Sequence, residues 1–455
     1  MKKTRELSTT QMITLGFLSA IVIGMLLLML PIASAKGQWT NPVDALFTAA
    51  TSVCVTGLVV VDTYSYWSIF GQLIILLLIQ IGGLGIVTLT TSLMVLIGRK
   101  VTLRDRLLLE DAYNLNTLSG LVRFMKRILK GTLLIEGIGA ICYSFVFIPR
   151  FGPIKGSFVS LFTAVSAFCN AGMDIIGANS LMDYVRNPWI NLVTMLLIVL
   201  GGIGFIVWWD VLRVADLWRR KEIVRGQFLK RLKLHTKLVL LVTGSLILFG
   251  AAAVLVLEYS NPETIGNLSF WEKVQAAFFQ SVTVRTAGFS TIPQDGLSDA
   301  TSLLCMILMF IGGSPVGTAG GVKTTTMAVL FIAALSVAGG KTEATIFKRT
   351  ISRETVRKAL AVTLFSLMAL VVAVLTLLTL EQGSFMDVTY ETVSAIGTVG
   401  LSRNFTSSLD TVGRLIISLC MYLGRVGPIS MMIAFTYRKG RGQTGVYPQE
   451  DITVG

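Results

Sequence analysis

The sequence predicts an all-α polytopic membrane protein of four similar units, each a long helix, a half-length helix and a second long helix, with pseudo-fourfold symmetry. Three observations predict it. Of 455 residues, 53% are hydrophobic and only 14% charged, with a mean hydropathy of +0.74, whereas soluble domains carry about 25% charged residues. Apolar runs lie near 11–34, 70–97, 132–148, 189–208, 237–257, 301–335, 359–380 and 412–436, each close to or beyond the ~20 residues that cross ~30 Å of hydrocarbon. Finally, FTAATSVCVTGL (47–58), FTAVSAFCNAGM (162–173), FFQSVTVRTAGF (278–289) and YETVSAIGTVGL (390–401) align without a gap, and internal repetition at a near-constant period marks a repeated structural unit.

Charge placement sets the topology. Basic residues follow alternate runs: Arg99, Lys100, Arg104 and Arg106; Arg219, Arg220, Lys221 and Arg225; Lys341, Lys348, Arg349 and Arg353; and Arg438, Lys439 and Arg441 in the tail. Enrichment in Lys and Arg places these connections in the cytosol. The net charge of +14 is thereby explained by topology, and no nucleic acid partner is expected. Eight crossings with both termini in the cytosol satisfy every loop, giving a multi-pass protein of the cytoplasmic membrane with the lipid bilayer around it.

The first unit spans 1–98. Its opening run ends in Ala33-Ser34-Ala35 and imitates a signal peptide, but it exceeds the ~7–15 residues of a signal core and is expected to be an uncleaved crossing. A half-helix starts at Asn41-Pro42, an N-cap followed by a residue suited to the first turn, and the next crossing is interrupted by IGGLG (81–85). The second unit, 99–209, has a crossing with a lone Glu136, a half-helix expected from Gly156-Ser157, and LGGIG (200–204). The third, 210–340, starts its half-helix at Ser269 and breaks at IGGSP (311–315). The fourth, 341–455, starts its half-helix at Ser384 and breaks at LGRVG (423–427).

Each half-helix is too short to cross and ends in a glycine-bearing tail. Irregular backbone at membrane depth is tolerated only inside protein or along a watery cavity, so four tails imply one central pore lined by M1–pore helix–M2 repeats. The carboxyl ends of four half-helices, each carrying about −0.5 charge, favour a cation. Rows of carbonyls can replace an ion's hydration shell, and glycine permits the backbone angles they need. The candidate filter residues are Val53, Cys54, Val55, Thr56 and Gly57; Phe168, Cys169, Asn170, Ala171 and Gly172; Val284, Arg285, Thr286, Ala287 and Gly288; and Ile396, Gly397, Thr398, Val399 and Gly400. No carboxylate lies in the last seven residues of any motif up to its glycine, which points to a monovalent cation. One isolated glycine could simply allow close helix packing; four in register argue otherwise, whereas IGGLG and LGGIG remain packing or kinking sites.

Two further features lie inside crossings. GGSPVGTAGGVKTTT (312–326) cannot continue a straight helix, because a central Pro costs about 3 kcal/mol and each Gly about 1. It is expected to form a loop that gates the pore through Gly312, Gly313, Ser314, Gly317, Thr318, Gly320, Gly321 and Lys323, with a simple kink as the alternative. It does not fit a phosphate loop, which needs GK[ST] after a strand. Arg425 occupies the column of Gly83, Gly202 and Gly313, and a charge there is functional by default. It is expected to face the cavity and bond carbonyls of the 312–322 loop; pinning that loop, or a subunit contact, is the structural alternative. Glu136 is expected to be structurally paired, and Arg285 to turn off the axis and bond a half-helix carboxylate such as Glu391. Five cysteines without a CxxC pair, a single His235 and no catalytic constellation give no support to an enzyme.

On SVCVTGL, SAFCNAGM, TVRTAGF and SAIGTVGL, on GGSPVGTAGGVKTTT and on Arg425, the chain resembles the Trk/Ktr/HKT superfamily of potassium transporters, most closely the membrane subunits of bacterial Ktr systems, over nearly its whole length. The resemblance implies K+ uptake with K+ at the filter glycines Gly57, Gly172, Gly288 and Gly400, and an intramembrane gate near 312–322. It also implies a homodimer docked on a cytosolic, KtrA-like ring of nucleotide-binding regulatory subunits, with ADP or ATP bound by that ring alone and Na+ as an activator. None of the loops reads TVGYG, so looser K+/Na+ discrimination than in tetrameric potassium channels is expected.

Overall fold

The structure is a computed structural model and describes residues 8–86, 88 and 121–427. Its principal helices are α1 (Thr9–Met29), α2 (Pro42–Cys54), α3 (Ile69–Leu84), α4 (Leu121–Phe151), α5 (Pro153–Cys169), α6 (Pro188–Gly202), α7 (Phe205–Arg219), α8 (Leu234–Glu258), α9 (Phe270–Thr283), α10 (Asp299–Phe310), α11 (Thr324–Ala338), α12 (Arg353–Leu380), α13 (Phe385–Gly397) and α14 (Thr411–Val426). A short hairpin, β1 (Thr345–Ile346) with β2 (Arg349–Thr350), joins α11 to α12.

Each half-helix packs against the long helix preceding it: α2 on α1, α5 on α4, α9 on α8 and α13 on α12. The second helix of each unit packs on the half-helix of the next, α3 on α5, α6 on α9 and α10 on α13, and α14 closes the ring on α2. This is a pseudo-fourfold arrangement about one axis. Burial follows it: every residue of α2 from Phe47 and of α13 from Tyr390 is buried. The first helices instead turn Leu134, Phe249 and Val372 outward, as lipid-facing surfaces should.

The helix starts obey capping rules. The Asn41 Oδ1 accepts from the Val43 N–H at 2.9 Å, the Ser384 Oγ from the Asp387 N–H at 3.1 Å, and Ser269 and Glu272 form a capping box. The second half-helix differs from expectation. It begins at Pro153 after Gly152, not at Gly156-Ser157, because proline at the first position is already set for the helix and has no N–H to satisfy.

The second crossings are not the unbroken runs that hydropathy outlines. Among the described residues, α1, α4, α8 and α12 are long and apolar enough to span by themselves, and α6 with α7 forms a pair bent by 98°. α3 and α14 stop at Gly85 (φ 82°) and Gly427 (φ 90°), and α6 turns into α7 at Gly204 (φ 89°). α10 and α11 are separated by irregular backbone, so the simple kink is excluded there. The expected continuations over 89–97 and 428–436 lie outside the described residues.

Candidate functional site

The four loops share one backbone trace. Val55 (φ 56°), Asn170 (φ 60°), Thr286 (φ 65°) and Thr398 (φ 51°) are left-handed, each two residues before Gly57 (φ 101°), Gly172 (φ 63°), Gly288 (φ 83°) or Gly400 (φ 95°). Left-handed backbone costs a β-branched residue roughly 1–3 kcal/mol; accumulation of that strain at matching places marks a functional constraint. Side chains of the half-helices hold the loops. Gly57 N–H donates to Thr51 Oγ1 at 2.9 Å, Met173 N–H to Ser166 Oγ at 3.1 Å, Gly400 N–H to Ser394 Oγ at 3.0 Å, and the Thr283 hydroxyl donates to the Phe289 carbonyl at 2.6 Å.

The four glycines meet. A Cβ on Gly57 would lie 2.5 Å from the Ala171 carbonyl oxygen, one on Gly172 2.5 Å from that of Ala287, one on Gly288 2.5 Å from that of Val399, and one on Gly400 against that of Thr56. Each loop thus presses its glycine on the carbonyl before the next loop's glycine, and the cycle closes. Val53, Phe168 and Ile396 belong to the last turns of their helices, and their carbonyls face Gly82, Gly201 and Gly424 of the second helices. The remaining candidate positions, among them Cys54, Cys169, Val284 and Gly397, are buried around the same axis.

On the side where the loops return, the four glycines line a cavity of about 370 Å3 together with Asp62, Asp174 and Asp295. Burial raises the Asp174 carboxyl to about 6, against the opposing hydrogen bond from the Ile176 N–H at 3.2 Å. Beyond the half-helix ends, a second cavity of about 210 Å3 is lined by Gly321, Val322, Lys323, Ile396, Gly397 and Arg425.

The irregular segment 311–323 contributes Gly321, Val322 and Lys323 to the second cavity. It is fastened to the neighbouring second repeat: Ser314 N–H to Gly202 O at 2.9 Å, Thr318 N–H to Gly201 O at 3.2 Å, Phe205 N–H to Val316 O at 2.8 Å and Thr318 Oγ1 to Phe168 O at 3.0 Å. Its base is closed by Gly312 N–H to Val322 O at 2.8 Å and Ser314 Oγ to Thr324 Oγ1 at 2.9 Å. Gly313 abuts Ala319, Gly317 the Gly201 carbonyl, Gly320 the Thr398 hydroxyl and Gly321 the Gly397 carbonyl. The Lys323 ammonium donates to Ala319 O at 2.7 Å. Arg425 donates to the carbonyls of Thr318 and Gly82, and to Gly83 O at 3.4 Å. The loop contact was expected; the clamp onto the first repeat was not, because no spacing rule links residues so distant in sequence.

The chain matches the TrkH family model, described as cation transport protein, over residues 3–441. The chain belongs to the TrkH family. It is 40% identical to the Ktr system potassium uptake protein B of Bacillus subtilis (strain 168), covering 98% of this chain and 96% of that one. It is 39% identical to the potassium/sodium uptake protein NtpJ of Enterococcus hirae, covering 99% and 98%. The crystal structure of the potassium transporter TrkH from Vibrio parahaemolyticus superposes with a TM-score of 0.70 at 15% identity, covering 96% of this chain and 86% of that one, a likeness of fold. TrkH-family proteins are transporters, in keeping with the non-enzymatic reading of the sequence.

Two buried ionisable groups of this TrkH-family chain contrast. Glu136 accepts from Gln80 Nε2 at 3.2 Å and Cys169 Sγ at 3.7 Å, a structural pairing as expected. Arg285 does not bond Glu391. Glu391 accepts instead from Thr406 Oγ1 at 2.5 Å, and the Arg285 guanidinium reaches Thr243 O at 3.4 Å and Gly312 O at 3.5 Å. Its place at the end of α9 aims it at α8 and the irregular segment.

Proposed function

We propose that the protein takes up K+ across the cytoplasmic membrane through a carbonyl-lined filter formed by residues 53–57, 168–172, 284–288 and 396–400, with K+ at the level of Gly57, Gly172, Gly288 and Gly400. The observation that carries this reading is the closed ring of glycine-to-carbonyl approaches. Main-chain oxygens packed so tightly suit an ion that sheds water cheaply. The names of the Bacillus and Enterococcus relatives, potassium and potassium/sodium uptake, agree with it. Segment 312–323 with Arg425 is the gate: it lies under the filter, its carbonyls and hydroxyls are tied to repeats two and four, and Arg425 extends the tie to Gly82 of repeat one.

The chain works as four units, 1–98, 99–209, 210–340 and 341–455, with both termini in the cytosol. It acts as a homodimer with a cytosolic ring that binds ADP or ATP; the word system in the name of the Bacillus relative fits a multi-subunit assembly. Na+ serves as an activator. Coupled symport through Na+ or H+ is the second reading, and the hydrogen bonds that occupy Glu136 favour the channel-like one. Uptake of radiolabelled Rb+ into vesicles, competed by K+ and by Na+, tests it with wild type and Gly288→Ser. Wild type should prefer K+ as competitor and the variant should lose that preference; unchanged selectivity in the variant removes the filter.

A further inference from the structure

Arg285 is the one charged residue among the candidate filter positions. Its relative exposure is 7%, as is that of Thr243 on α8. Its carbonyl contacts, at 3.4 and 3.5 Å, are long beside the roughly 2.7–2.9 Å of charge-assisted bonds. Among the described residues its Nε–H has no partner, and neither has the Thr243 hydroxyl. None of the described ion pairs includes Arg285. Both side chains line one small cavity of about 20 Å3, together with Gly202, Gly313, Val282 and Ile247.

A cavity holds a water-sized particle from roughly 10–15 Å3 upward, so this one has room for a single small guest. The unpartnered groups can donate: an N–H of a guanidinium and a hydroxyl. A buried charge without an opposite one is costly, and the carboxyl end of α9 offsets only about half of it. A water molecule would satisfy the donors and leave the charge. A monovalent anion answers both needs.

We propose that Arg285 and Thr243 form a binding site for one chloride-sized anion behind the third loop, where Gly312 and Gly313 begin the irregular segment. The anion accepts from Arg285 Nε–H and the Thr243 hydroxyl. The site does not depend on which ion the loops carry. Its consequence does rest on the K+ reading: neutralising a guanidinium three residues before Gly288 strengthens cation binding at the loops, so halide is a positive effector.

The test uses the purified full-length protein in equal concentrations of potassium chloride, bromide or gluconate. Chloride and bromide should raise the melting temperature above that in gluconate by roughly 2 °C or more, and an anomalous bromide peak should lie between Arg285 and Thr243. Thr243→Val should raise the halide concentration needed by roughly tenfold or more, and Arg285→Lys, which keeps the charge but lacks Nε, should also weaken the effect. Equal melting in all three salts means that the cavity takes water and overturns the proposal. So does a halide effect unchanged in both variants. Halide-dependent melting alongside Rb+ uptake that lacks K+ preference would keep the anion site and sink the filter, so the two failures are distinguishable.

Discussion

The second helices of repeats one, two and four differ from that of repeat three. In the former, Gly82, Gly201 and Gly424 lie against the carbonyls of Val53, Phe168 and Ile396, locking each second helix to the end of its own half-helix. The break then finishes at Gly85, Gly204 or Gly427, with φ between 82° and 90°. In repeat three, Gly312 lies instead against the Gly320 carbonyl of its own loop, and the closing position is Pro315, which cannot adopt positive φ. The left-handed residue moves to Val316 (φ 60°). One quarter of the ring has therefore traded a lock for a loop. Symmetry holds at the proposed filter and fails at the proposed gate.

The strongest way to break this contrast is to fill the locks. Gly82→Ala, Gly201→Ala or Gly424→Ala places a methyl into a backbone carbonyl and should destabilise the assembled protein by about 4 kcal/mol or more, read as loss of monodisperse protein and of uptake. Gly312→Ala should leave a folded protein with altered flux, and Gly137→Ala, which meets nothing within 4 Å, should match wild type. Equal collapse at Gly312 would erase the distinction. Next in size, shortening 314–320 should raise K+ flux by roughly tenfold, since the loop of the proposed gate lies in repeat three; level or lower flux argues for a structural plug.

Arg425→Gln should raise resting flux by roughly three- to tenfold, through loss of charge-assisted bonds to Thr318 and Gly82, with a lowered melting temperature. Resting flux that stays at the wild-type level would make Arg425 a mere pin. Glu136→Gln keeps one acceptor oxygen for Gln80 and turns its amide N–H toward the Cys169 sulfur, a weak acceptor, so uptake should stay within about twofold; loss of uptake would instead favour symport. The smallest effect concerns Asp174, raised to about 6 by burial. Above that pH its ionised carboxylate attracts cations into the cavity, and below it the proton removes the charge. Apparent K+ affinity should thus fall by about twofold between pH 7 and 5, and a competition assay should find the dependence absent in Asp174→Asn.

Local and repeating signals were legible in the sequence. Apolar length marked the first helices, Asn41, Ser269 and Ser384 marked half-helix starts, and four aligned glycines with a small-residue break marked the symmetric ring. These follow from chemistry within a few residues: hydrophobic period, capping and missing Cβ atoms. The left-handed turns at Val55, Thr286 and Thr398 carry no such mark, because nothing in Val or Thr announces positive φ, whereas Asn170 is of a type that enters that region readily. They exist because surrounding packing over-determines them.

Tertiary structure alone decided the cyclic order of the loops, the reach of Arg425 beyond the third-repeat loop to the first repeat, and the company of Arg285, which left Glu391 to Thr406. Residues hundreds of positions apart become neighbours there through helix packing, and a charged side chain with several reachable partners takes the one that burial leaves nearest. The sequence determined which groups had to be satisfied; only the folded ring determined by whom.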